Sequence, residues 1–133
     1  MVTASFDYEK GILKSTFEGV VSLKEIIDYI NATKDNTTYP RVLKILTDAT
    51  KAEMNFNPED LPLIVEANYK SIEKYDYIID AIVLDAPKET ALSLLYQKLA
   101  ETKKYKFQIF STQNAALNWL ESMNFKSKSF QEY

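Results

Sequence analysis

The sequence predicts an α/β fold: an N-terminal β-hairpin, then βα units building a mostly parallel sheet of about five strands with four main helices. Three observations carry this expectation. The first residues alternate, with Val2, Ala4, Phe6 and Tyr8 on one face and Thr3, Ser5 and Asp7 on the other. Short apolar runs then recur at Val42–Thr47, Ile78–Leu84 and Phe107–Phe110. Between them lie segments with helical spacing and helix start signals. At 133 residues the chain has the size of one domain, expected over residues 1–123, with a polar C-terminal tail over 124–133.

Each element has its own local cause. A second strand from Ile12 to Glu18 follows Glu9-Lys10-Gly11, a short turn in which the glycine supplies positive φ. Ser22-Leu23-Lys24-Glu25 reads as a capping box, in which serine and glutamate satisfy each other's backbone N–H groups. Leu23, Ile26, Ile27 and Ile30 continue it as an amphipathic helix to about Lys34. After a polar loop closed by Pro40, the Val42–Thr47 strand ends at Asp48, and a loop is expected from Ala49 to Phe56. Asn57-Pro58-Glu59-Asp60 opens a second helix with a face of Leu61, Ile64, Val65, Asn68 and Ile72. Ile78–Leu84 is the most continuously apolar strand and is assigned to the sheet centre. Asp85-Ala86-Pro87 opens a third helix carrying Leu92, Leu95, Tyr96 and Leu99. Ser111 or Thr112 caps a fourth with Ala116, Leu117, Leu120 and Met123.

Composition excludes several chemistries. Neither cysteine nor histidine occurs, which removes disulfides, thiolate nucleophiles, Cys/His zinc sites and imidazole bases. The net charge is −3, and Arg41 is the only arginine among 16 basic residues, so no nucleic-acid footprint is expected. Lys103, Lys104 and Lys106 form a small charge run at a helix end. No apolar stretch approaches the roughly 20 residues of a membrane span. The longest, Tyr77–Leu84, is broken by Asp80. The N-terminal segment lacks a basic region followed by an apolar run, so a cytoplasmic protein without a secretory signal is expected. The sequons at Asn31 and Asn36 are then chance.

Several local features resemble the SpoIIAA-like superfamily, which includes the STAS domains of anti-sigma factor antagonists. They are the hairpin ending in Phe17-Glu18-Gly19-Val20-Val21, the following Ser22-Leu23-Lys24-Glu25, the strand closing on Asp48, and Ala115-Ala116-Leu117-Asn118-Trp119-Leu120. The chain is most similar in type to small stand-alone bacterial members. The resemblance implies strands laid down in sequence order, hence no topological switch point of the kind that opens a crevice in doubly wound sheets. It also implies a phospho-switch on a serine or threonine directly after the aspartate. Here Ala49 occupies that position, Thr50 comes one residue late, and the glycine that normally follows is missing. The switch motif is not intact.

Candidate site residues cluster after the Val42–Thr47 strand: Asp48, Thr50, Lys51, Met54 and Phe56, with Asp85 at the end of the next strand, Ile78–Leu84. Met54 and Phe56 in a loop read either as a partner-binding knob or lid, or as a satellite core beneath it. Asp48 and Asp85 read either as a carboxylate pair for a hard cation or as a loop bond and a helix cap. The aromatic content of 13% reads either as core, with Trp119 a helix anchor, or as the lining of an apolar cavity. Three functions follow. The first is a non-enzymatic regulatory or protein-interaction module, favoured by the resemblance and the missing catalytic groups. The second is a carrier of a small apolar ligand or lipid, which needs a cavity on the order of 300 Å3. The third is a metal-dependent enzyme using Asp48 and Asp85. The favoured reading expects no cofactor and no metal site, and leaves a homodimer open through the sheet edges.

Overall fold

A computed structural model describes residues 1–123; the tail expected over 124–133 lies outside the described residues. The strands are β1 (Val2–Asp7), β2 (Ile12–Ser22), β3 (Val42–Asn55), β4 (Tyr77–Val83) and β5 (Tyr105–Phe110). The helices are α1 (Leu23–Asp35), α2 (Leu61–Ile72), α3 (Pro87–Ala100) and α4 (Gln113–Ser122). One sheet takes the strands in sequence order, with β1 antiparallel to β2 and every later pair parallel. Gly11, at φ +68°, closes the hairpin turn with its N–H on the Asp7 carbonyl, a conformation that costs glycine nothing. Asp7 Oδ1 accepts the N–H groups of Glu9 and Lys10 in the same turn.

The pleat sends alternate residues to opposite faces. Leu13, Ser15 and Phe17 of β2, Ile45 and Thr47 of β3, Ile78, Asp80 and Ile82 of β4, and Tyr105 and Phe107 of β5 face one side. There α1, α2 and α3 cover them through Ile26, Ile30, Ile64, Val65 and Leu92. The other face is closed by α4, whose Ala116 and Leu120 pack on Ile12, Leu46, Ile79, Ala81 and Val83. The capping box of α1 forms as expected: Glu25 N–H donates to Ser22 Oγ and Ser22 N–H to Glu25 Oε1, both at 3.1 Å. Thr112 rather than Ser111 caps α4, accepting Ala115 N–H at 3.2 Å.

Besides β3 rather than β4 holding the sheet centre and β2 running past Glu18 to Ser22, three elements depart from the sequence expectation. The expected loop over residues 49–56 is mostly strand, because β3 runs on to Asn55. Asp48 pairs with Thr16 and Lys51 with Glu18, so Ala49 and Thr50 together oppose Phe17. This is a β-bulge. It shifts the alternation by one residue: the inward positions Ile45, Thr47 and Ala49 are followed by Ala52 and Met54. A single period-two reading loses the strand there.

The second departure is at the start of α2, which begins at Leu61 after a 3-10 turn over Pro58–Asp60. The third is in α3, which buries Glu89, Leu92, Ser93 and Ala100. Leu95 and Leu99 stay exposed. The buried stripe is therefore rotated one residue from the hydropathic one, because two polar side chains sit inside. Glu89 has a structural reason to be there. Beyond the end of β4, the Met54 N–H of β3 has no strand to meet, and Glu89 Oε2 accepts it at 3.0 Å.

Candidate functional site

The residues singled out from the sequence fall on two sides of the sheet. Asp48 lies on the α4 face. Its Oδ1 accepts the N–H of Thr50 at 3.0 Å and the Thr50 hydroxyl at 2.7 Å, while Oδ2 accepts Gln113 Nε2 at 3.0 Å. The Thr50 hydroxyl bond, more than any other contact, holds this carboxyl below the usual range. Both oxygens are thus occupied in pinning the bulge and tying β3 to α4. Thr50 and Lys51 are exposed beside it. Asp85 is exposed after β4 and does not cap α3, whose N-cap is Ala86. Among the described residues, no group of three or more acidic side chains is placed to hold a metal ion.

Met54 and Phe56 point the other way. Met54 is buried, Phe56 half-buried, and both line a cavity of about 90 Å3 between the sheet and α1–α3. Its walls are mostly apolar, with Ile64, Ile82 and Leu92 among them, and Phe17, Tyr29, Tyr96 and Phe107 add aromatic rings. Trp119 is not part of it. That side chain packs on Phe110 at 5.6 Å on the α4 face.

The sheet side of this cavity includes Asp80. Strand alternation puts it between Ile78 and Ile82, facing the helices. It is half-buried and lines the cavity beside Tyr29, Tyr96 and Phe107. Tyr105 donates its hydroxyl to Asp80 Oδ2 at 2.8 Å, and Tyr96 donates to Tyr105 Oη at 3.1 Å. No hydrogen bond to Oδ1, and no cation within ion-pair reach, occurs among the described residues. Burial pushes the carboxyl up to about 7, with the Tyr105 bond opposing that rise. Burial and then the nearby Asp80 charge also raise the hydroxyls of Tyr29, Tyr96 and Tyr105 above the ordinary tyrosine value. Tyr29 shares a hydrogen bond with Ser15 on the same face. From α2, Asn68 lines the cavity at 6% exposure, and its Nδ2 has no partner among the described residues.

Sequence reasoning passed over Asp80 and Asn68 as site residues, although both carried a signal. Asp80 is the only charge in the most apolar strand, and Asn68 is the polar member of the buried α2 stripe. Either residue in such a setting needs a partner or a purpose.

No family model matches the chain, and no curated protein matches it. Among solved structures, one from Shewanella loihica PV-4 superposes over 90% of this chain and 93% of its own, with a TM-score of 0.60 at 13% identity. It is described as an uncharacterized protein of the DUF3478 family with a SpoIIAA-like fold. The fold here is SpoIIAA-like. The five strands in sequence order, the leading hairpin and the helices on both faces agree with that likeness. No helix among the described residues is long and apolar enough to cross a membrane.

Proposed function

We propose that this chain binds a small, largely apolar molecule between its sheet and α1–α3. The observation that supports the reading is the cavity itself: apolar and aromatic walls around one carboxyl that is not matched by a cation. Well-packed interiors leave few voids larger than a water molecule, and this space of about 90 Å3 lies between the sheet and three helices and is partly open to the surface. A single water needs about 10–15 Å3 of such space, so this cavity has room for roughly six to nine groups of that size. That is one ring with a substituent. It is well below the roughly 300 Å3 at which drug-sized sites begin, so the ligand class narrows from lipids to single-ring molecules.

Toluene is the probe. In a methyl-labelled NMR titration, the methyl signals of Ile64, Ile82 and Leu92 are expected to shift, while those of Leu95 and Leu99 on the outer side of α3 stay in place. The Ile82→Phe variant, which fills the cavity, is expected to keep a dispersed spectrum and lose the response. Cavity methyls that do not move in the wild-type protein would end this reading.

The protein-interaction reading draws on a different feature. Leu94, Leu95 and Leu99 stand exposed on α3, at 44–48%, and apolar surface that is contiguous over several hundred Å2 marks interaction sites. It concerns the outer surface of α3 rather than the cavity, and the toluene titration does not touch it.

A further inference from the structure

Resting on the cavity reading, we infer that the ligand is a small organic cation, a primary or substituted amine about one ring in size, whose ammonium group pairs with Oδ1 of Asp80. Three independent features of the site point to that charge. Asp80 lines the cavity, its Oδ2 is taken by Tyr105, and its Oδ1 accepts no hydrogen bond among the described residues. The groups around it supply no positive charge. The titratable side chains that face Asp80 are Tyr105 from β5, Tyr96 from α3 and Tyr29 from α1. From β3 come Ile45 and Thr47, and from α2 Asn68 and Ser71, none of which titrates.

The third feature is the aromatic wall. Phe17, Tyr29, Tyr96 and Phe107 line the same space, in mutually edge-to-face pairs: Phe17–Tyr29 at 5.8 Å and Tyr96–Phe107 at 5.0 Å between ring centres. Ring faces attract cations within about 6 Å of their centroids. A buried carboxylate is costly alone and becomes acceptable when it is paired and hydrogen-bonded. An ammonium ion supplies that pairing, and the Tyr96–Tyr105 chain already orients the other oxygen. An anionic ligand would instead face Asp80 with a like charge. A neutral hydrocarbon would leave Oδ1 unmet.

The test compares three isosteric probes by calorimetry: benzylamine, benzyl alcohol and toluene. At about pH 8, above the midpoint of the Asp80 carboxyl, benzylamine is expected to bind at least about tenfold more tightly than either neutral probe. At about pH 5 the carboxyl is protonated, and that advantage is expected to shrink towards parity. Asp80→Asn keeps an acceptor for the Tyr105 hydroxyl and removes the charge. It is expected to retain toluene binding and to lose the preference for benzylamine at both pH values. Toluene or benzyl alcohol binding as tightly as benzylamine in the wild-type protein would overturn the cation assignment while leaving the cavity reading intact. No binding by any probe would overturn both. A benzylamine preference that survives in Asp80→Asn would place the cation elsewhere and equally overturn the assignment.

Discussion

Asp80 and Asn68 are polar groups placed where the fold gives them too few partners, and each has a measurable consequence for stability. Burial pushes the Asp80 carboxyl up to about 7 in the folded protein, well above the ordinary aspartate value. Folding therefore favours its protonated form. The stability contributed is fully present below the unfolded value, falls as pH rises through the folded one, and levels off above it. A rise of that size corresponds to roughly 2–4 kcal/mol. Asp80→Asn is accordingly expected to be more stable than wild type by about 2–4 kcal/mol at about pH 8 and equal to it at about pH 4, as read by urea denaturation. Equal stabilities at both pH values would show that the carboxyl is hydrated. Asn68 has a related liability: a buried N–H group without a partner costs about 1–3 kcal/mol. Asn68→Leu, which keeps the branched arrangement of side-chain heavy atoms and reaches into the cavity that Asn68 lines, is expected to raise the melting temperature by several degrees. A lowered melting temperature would mean that the amide is paired in solution.

At the scale of elements, the β3 bulge organises the end of the sheet. Asp48 pins it through Thr50 and Gln113, and Glu89 closes the strand edge beyond it at Met54. Glu89→Leu would leave that N–H buried and unmatched, an expected loss of about 1–3 kcal/mol in thermal or urea unfolding. Asp48→Ala removes exposed bonds, and about 1 kcal/mol is expected. The reverse order of the two losses would place the bulge, rather than the edge, as the weak point.

This region also shows what the sequence discloses and what it withholds. The hairpin, the Ser22–Glu25 box and the βα order were readable because each is set by neighbours within a few residues. The extension of β3 was not, since the bulge at Ala49–Thr50 breaks the alternation by which strands are recognised. The inner face of α3 lies one residue away from the hydropathic stripe because Glu89 turns in to meet the Met54 N–H of β3 and Ser93 lines the cavity. The cavity shares that difficulty. Its walls come from seven separate elements, and only their convergence shows that Asp80, Tyr96 and Tyr105 meet.

For the molecule as a whole, the two faces of the sheet divide the work. The α4 face is a filled core in which Leu120 is fully buried, and Leu120→Ala there is expected to cost about 2–5 kcal/mol with no effect on toluene or benzylamine binding. The opposite face holds the cavity, and a ligand bound there stabilises the fold by mass action, so the melting temperature is expected to rise with benzylamine concentration. Both expectations separate stability from binding by face. The Asp80 side-chain carboxyl carbon joins them in one reading. Its 13C shift is to be followed from about pH 4 to about pH 9, with and without benzylamine. The account expects a midpoint near 7 in the free protein, moved downward when the ammonium ion stabilises the carboxylate. A free midpoint near the ordinary aspartate value, or one that benzylamine leaves unmoved, would contradict it.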